Sequence, residues 1–111
     1  MALLHGVRVL PSADAVDVAE YAAVVDALYG TGLNHAIEGD AAILIHRLSD
    51  HPQIPVIAVD IPSGLDGTTG RALGADVVRA AETVTFHRIK QGLLLRQGVE
   101  YTGKITVQPI L

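Results

Sequence analysis

A chain of 111 residues is enough for one small domain and too short for two. Half of it is hydrophobic, 18% is charged and the mean hydropathy is +0.38, which excludes intrinsic disorder. The absence of cysteine excludes a disulfide framework and a thiolate zinc site. The net charge of −4 argues against general nucleic-acid binding, which wants a basic face. The charge is uneven, however: residues 1–60 hold eight acids and two arginines, and residues 61–111 hold four acids and six bases. The second half therefore suits an anionic ligand, with uneven surface charge alone as the competing reading. The longest stretch free of Asp, Glu, Lys and Arg is eleven residues, Ala27 to Ile37, whereas a membrane span needs about 20. The opening MALLHGVRVLP lacks the apolar core of a secretory signal, so the expected compartment is the cytoplasm.

In chain order, Val7–Leu10 reads as a short strand stopped by Pro11. Asp14–Tyr21 suits one or two helical turns with Ser12 as N-cap. Ala22–Leu28 is too continuously apolar for a half-exposed strand and reads as a buried parallel one. Glu38–Leu48 places Ala41, Ile43, Leu44, Ile45 and Leu48 at roughly helical spacing. Pro55–Ile61, Thr83–Phe86 and Lys104–Val107 read as further strands, with a possible helical turn or two near Ala75–Ala81. Strand, helix, strand in that order predicts an α/β fold with a mainly parallel sheet. Such a sheet needs helices on both faces. One clear helix is too little cover for four or five strands, so either the second half holds further helices or the chain is part of a larger domain.

Ligands of open α/β sheets bind beyond the carboxyl ends of the strands. Asp26, Asp60 and Lys90 fall at or just after such ends and would lie along one edge. A carboxylate ending an apolar run must be paired, hydrogen-bonded or bound to a cation, and a turn- or helix-capping role is the competing reading. The loop Gly30-Thr31-Gly32-Leu33-Asn34 leads from the first long strand to the helix. It suits either a phosphate or an ordinary tight βα turn, and it matches neither a GxGxxG nor a Walker pattern. In Asp60-Ile61-Pro62-Ser63-Gly64-Leu65-Asp66, Ser63 lacks the flanking glycines of a nucleophile elbow and reads better as an oxygen ligand. Asp66 reads as a turn residue. The five histidines show no metal spacing; only His35, beside the glycine loop, has a case for ligand contact.

Read together, VDALYGTGL (25–33), VIAVDIPSGLDGTTG (56–70) and TVTFHRIKQGLLLRQGVEYTGKITV (83–107) resemble the NAD(P)H-hydrate epimerase family. The resemblance covers the chain from about Val7 onward. It implies a Rossmann-like, three-layer α/β/α fold with a mainly parallel sheet, here as an incomplete domain. The implied activity interconverts the R and S forms of hydrated NADH and NADPH, which carry a hydroxyl on C6 of the reduced nicotinamide ring. By the same resemblance, Asp26 and Ser63 match positions that hold a potassium ion. Gly30, Thr31, Gly32, Leu33, Asn34, His35 and Ala36 match the segment that contacts the dinucleotide, and Asp60 matches the acidic residue at the substrate, expected as the acid/base.

The family domain is roughly twice as long, and its first half carries an Asn-Asn-Gly-Gly-Asp-Gly loop that this sequence lacks. His35 stands where the family often has Arg, and Gln91 where it usually has Pro. Residues 1–111 are therefore expected to be the C-terminal half of such a domain. Expected partners are the hydrated dinucleotide, a missing N-terminal half or a second copy of the chain, and a fused or separate ADP- or ATP-dependent dehydratase. Membrane and nucleic acid are not expected. Competing readings are a non-catalytic scaffold module of the same fold, as in an mRNA-decapping enhancer, and a half-domain active only with its complement. A hydrolase using Ser63 is disfavoured because no His is placed by motif as its base.

Overall fold

A computed structural model describes residues 6–109. Four strands, β1 (Val24–Asp26), β2 (Val56–Val59), β3 (Glu82–Phe86) and β4 (Lys104–Gln108), form one sheet in the order β1-β2-β3-β4, every pair parallel. Helix α1 (Gly39–Ser49) crosses from β1 to β2. Helices α2 (Gln91–Leu94) and α3 (Arg96–Thr102) cross from β3 to β4. The α/β class and the parallel sheet are as the sequence predicts.

The strand order fixes where the helices sit. Crossovers between parallel strands are right-handed, so an order that advances steadily one way puts successive crossovers on one face. Two clusters form that layer. Ile45 of α1 packs with Ile37, Val56 and Val78, while Leu93 of α2 packs with Ile61 and Leu65, against Tyr101 and Ile105. By register and the two-residue alternation, Val56, Ala58, Thr83, Thr85 and Ile105 look toward these helices. Val25, Ile57, Val59, Val84 and Phe86 look the other way and are at least partly exposed, Val25 at 64% and Ile57 at 37%.

Close contact of α2 and α3 with the chain requires glycine. A Cβ at Gly92 would strike the Asp66 carbonyl, and one at Gly98 the Gly92 carbonyl. At the other end, Arg47 in the last turn of α1 clamps the N-terminal segment, donating to the carbonyls of Ala13 (2.7 Å) and Val16 (3.3 Å). Asp40 in the first turn accepts from the Ala13 N–H at 3.0 Å.

Several expectations are corrected. Residues 7–10 form no strand, since no neighbouring strand pairs with them. The turns expected over Asp14–Tyr21 are two 3-10 turns, Ala13–Ala15 and Val18–Glu20. The Ser12 side chain makes no cap bond, whereas Asp17 caps the second turn by accepting from the Ala19 N–H. The run Ala22–Leu28 is not a buried strand. Only Val24–Asp26 is extended in a ladder, at the sheet edge, with Val25 exposed. Ala75–Ala81 contains no helix; its N–H groups bind outward instead, Val78 to the Ser63 carbonyl, Ala80 to Tyr101 and Ala81 to Val56. Helices α2 and α3 were not located by sequence.

Candidate functional site

Strands β1 and β2 lie side by side, so Asp26 and Asp60 emerge at the same carboxyl edge. Asp26 is buried and closes β1. Its Oδ2 accepts from the Ser63 N–H at 2.7 Å, and its Oδ1 accepts from the Ser63 hydroxyl at 2.6 Å and the Leu28 N–H at 3.3 Å. Ser63 Oγ in turn accepts from the Tyr29 N–H at 3.0 Å and lies 3.4 Å from the Tyr29 carbonyl. The buried carboxylate is thus matched by N–H and O–H donors. The site is all oxygen and anionic, which is the donor chemistry a hard cation requires. Asp26 Oδ1, Ser63 Oγ and the Tyr29 carbonyl lie close enough together to contribute to one, so the residues fit a potassium ion as partial ligands. Among the described residues no group of three or more His, Asp and Glu is placed to hold a metal ion.

Asp60 follows β2 in a left-handed conformation, φ 74°. The Ile61 N–H donates to the Val59 carbonyl at 3.0 Å across it, closing a three-residue turn centred on Asp60. A positive φ in such a γ-turn is the strained form, costing about 1–3 kcal/mol, and strain of this kind concentrates at functional sites. The turn is braced by the Asp60 N–H, which donates to the Val84 carbonyl at 2.6 Å. It swings the carboxylate over the end of β3. There Oδ1 accepts from the Lys90 ammonium and from the Thr85 hydroxyl at 3.1 Å. Lys90 Nζ also donates to Thr85 Oγ1 at 2.9 Å and to the Phe86 carbonyl at 3.3 Å. Asp60 and Lys90 keep 25% of their side chains exposed, while Thr85 is completely buried. Among the described residues the side-chain donors to Asp60 all end on Oδ1, and none on Oδ2.

The loop 30–36 lies in front of this cluster. A Cβ on Gly30 would stand 3.8 Å from Asp60 Oδ2. The loop is exposed apart from half-buried Leu33, which packs toward the α1 cluster. Its backbone is closed by the Leu33 N–H donating to the Gly30 carbonyl at 3.4 Å. His35 is exposed and its Nδ1 bonds the Ala36 carbonyl at 2.9 Å. The structure therefore gathers Asp60, Lys90 and Gly30 at one point and joins Asp26 to Ser63 beside it. Thr31, Gly32, Asn34, His35 and Ala36 form an open rim. Thr85 was missed by sequence reasoning.

Asp66 proves to be a turn residue. Its Oδ1 accepts from the N–H groups of Thr68 (2.8 Å) and Thr69 (3.0 Å). Those bonds, the Thr69 N–H first and the Thr68 N–H second, hold its carboxyl below the ordinary 3.8. A cavity of about 280 Å³ lies at the opposite end of the sheet, under Val56. It is walled by Ile45, Leu48, Ile54 and Val78, with Arg79 stacked over the Tyr101 ring at 4.6 Å on its rim. It shares no residue with the Asp60 cluster.

Residues 4–92 match the family described as YjeF-related protein N-terminus. The chain is 40% identical over 94 residues to the NAD(P)H-hydrate epimerase of Weissella koreensis, covering 85% of this chain and 42% of that protein. It is 36% identical over 106 residues to the NAD(P)H-hydrate epimerase of Oenococcus oeni, covering 96% and 49%. It is 44% identical over 87 residues to the bifunctional NAD(P)H-hydrate repair enzyme Nnr of Pyrobaculum aerophilum, covering 78% and 17%. The chain thus spans less than half the length of each of these relatives. Among the described residues no helix is long and apolar enough to cross a membrane.

Proposed function

This chain belongs to the family of YjeF-related protein N-terminal domains, and we propose that it serves the epimerisation of NAD(P)H hydrate, with Asp60 as the acid/base. The observation that carries the reading is the placement of Asp60. A strained turn presents one oxygen of its carboxylate, backed by Lys90 and Thr85, to the gap before Gly30. The epimerase names of the Weissella and Oenococcus relatives supply the substrate.

The chemistry suits a carboxyl group. In the hydrate, the C6 hydroxyl sits beside the ring nitrogen. A proton delivered to that hydroxyl lets it leave as water while the nitrogen lone pair forms the C6–N double bond. Water adding to the other face returns a proton, and the other epimer results. Asp60 can donate the proton, take one back and offset the cation between. The loop Gly30–Ala36 would hold the dinucleotide through backbone N–H groups, since its side chains leave the rim open. Asp26 and Ser63, with the Tyr29 carbonyl, would hold a potassium ion, whose charge would favour the anionic dinucleotide at this edge. A dehydratase acting on one epimer is the fitting consumer of the product, as the bifunctional character of the Pyrobaculum relative suggests. A cytoplasmic location accords with a soluble nucleotide substrate.

A second reading is favoured by the bare sheet face. Val25 and Ile57 are exposed where a parallel sheet is normally covered. On this reading the chain is a half-domain that works only against its missing complement or a second copy. The test supplies pure (R)-NADH hydrate with potassium present and follows the S form by chromatography. Acceleration over buffer by this chain alone supports the epimerase. A buffer rate, together with stability that rises with protein concentration, supports the half-domain. A buffer rate that persists in the presence of the missing half of a relative refutes the assignment.

A further inference from the structure

We propose that Thr85 is a positioning residue that divides the Asp60 carboxylate into a held oxygen and a working one, so that Oδ2 alone exchanges protons with the substrate. The inference rests on the epimerase reading for its chemistry and on the geometry of three side chains for its placement.

Lys90 has three ammonium protons and, within reach, three fixed acceptors: Asp60 Oδ1, Thr85 Oγ1 and the Phe86 carbonyl. None is left for a ligand. Lys90 is therefore a bound counter-charge rather than the acid. Thr85 has one hydroxyl proton, and it goes to the same Asp60 Oδ1. A hydroxyl that accepts from the ammonium and donates to the carboxylate closes a ring of three groups, in which two of the three hydrogen bonds converge on one carboxylate oxygen. Asp60 Oδ2 lies outside that ring, receives no bond among the described residues, and is the atom nearest the space left by Gly30.

The proton bookkeeping follows. Asp60, a carboxylate beside the Lys90 ammonium, first takes up a solvent proton on Oδ2. That proton moves to the C6 hydroxyl, the C6–O bond breaks to release water, and the nitrogen pair enters the C6–N bond. The returning water forms a new C6–O bond on the other face and its proton goes to Oδ2, so the cycle consumes no other reactant. Thr85 takes no part in bond-making; by fixing Oδ1 it fixes where Oδ2 points. An aliphatic residue would pack as well at this buried strand position, and the helix-facing side of a parallel strand normally carries one. The hydroxyl is thus there for its bonds.

The test compares Thr85→Val with Thr85→Ser in chain labelled with ¹⁵N-lysine. There are two lysines, and Lys104 is exposed. In the wild type, the Lys90 ammonium gives a slowly exchanging NMR signal, kept in T85S and lost in T85V. Against (R)-NADH hydrate, kcat in T85V falls about ten- to a hundredfold, as expected for losing a hydrogen bond to a charged group, with KM little changed and T85S near wild type. A wild-type signal that exchanges freely, or a T85V variant with unaltered signal and kcat, overturns the proposal. If wild type and variants are all inactive, alone and with the missing half of a relative, the epimerase reading fails while the lysine signal still decides the placement. Should T85V fail to fold, Lys90→Arg takes its place. A guanidinium cannot direct three donors from one atom, so kcat must fall; unchanged kcat refutes the ring.

Discussion

Replacing Asp26 separates two energetic roles of one carboxylate. In Asp26→Ala the Ser63 N–H, buried and bonded at 2.7 Å, loses its acceptor. The Ser63 hydroxyl falls back on the Tyr29 carbonyl at 3.4 Å. A stranded buried donor costs about 1–3 kcal/mol, and bonds to a charged partner are at the upper end of that range. Removing a desolvated charge returns part of the loss, so the net cost is about 2 kcal/mol. In Asp26→Asn the amide oxygen keeps the Ser63 N–H. The amide N–H₂ donates to Ser63 Oγ, whose proton turns to Tyr29. Only the Leu28 N–H, bonded to Oδ1 at 3.3 Å, loses its acceptor, and the cost is about 1 kcal/mol. A small domain has only about 5–15 kcal/mol in total, so the two variants are readily told apart. Urea unfolding at several protein concentrations measures this. With a slope of about 1–3 kcal/mol per M, the midpoint of D26A falls by roughly 1–2 M and that of D26N by half that or less. Equal losses in the two variants, or a loss in D26A under about 1 kcal/mol, would refute the bonding scheme drawn here.

Asp60→Asn keeps the fold, because asparagine tolerates a positive φ as aspartate does, and it lowers epimerisation by about 10²–10⁴-fold; chromatography of the epimers reads this directly. Gly30→Ala leaves urea stability unchanged or slightly raised, since its φ is not positive and the new methyl finds ordinary contact at 3.8 Å, yet it weakens hydrate binding at least severalfold in calorimetric titration. The lowered carboxyl of Asp66 gives stability that is complete above its ordinary 3.8 and lost as pH falls through the lower folded value. Stability followed from pH 6 to 2 should therefore show an acid loss that is smaller in Asp66→Asn.

The sheet was legible because VIAV, TVTF and ITV are runs no half-polar helix would carry, and α1 because its apolar spacing repeats by three and four. Helices α2 and α3 were hidden by Gly92 and Gly98, which lower helix propensity but are demanded by close backbone contacts that only tertiary structure reveals. Residues 7–10 misled because an apolar run specifies a strand only when a neighbour completes its ladder. The carboxyl-edge argument located Asp26, Asp60 and Lys90, since it depends on topology alone. Thr85 could have been found by the same reasoning. In Glu82–Phe86 the helix-facing positions are both threonine, Thr83 and Thr85, where aliphatics belong. A polar residue at such a position has a partner to serve.

The steady order of the strands has a geometric result for the site. A crevice at the carboxyl edge of a parallel sheet has two banks, formed where successive crossovers part to opposite faces. Here every crossover helix stays on one side, so Asp26 and the Gly30 loop form a single bank. Asp26 ends β1, the strand with an open edge among the described residues. A strand laid along that edge, with its own connection passing over Val25 and Ile57, would wind in the opposite sense. It would turn Asp26 from the margin of the sheet into its seam and set a second wall opposite Asp60.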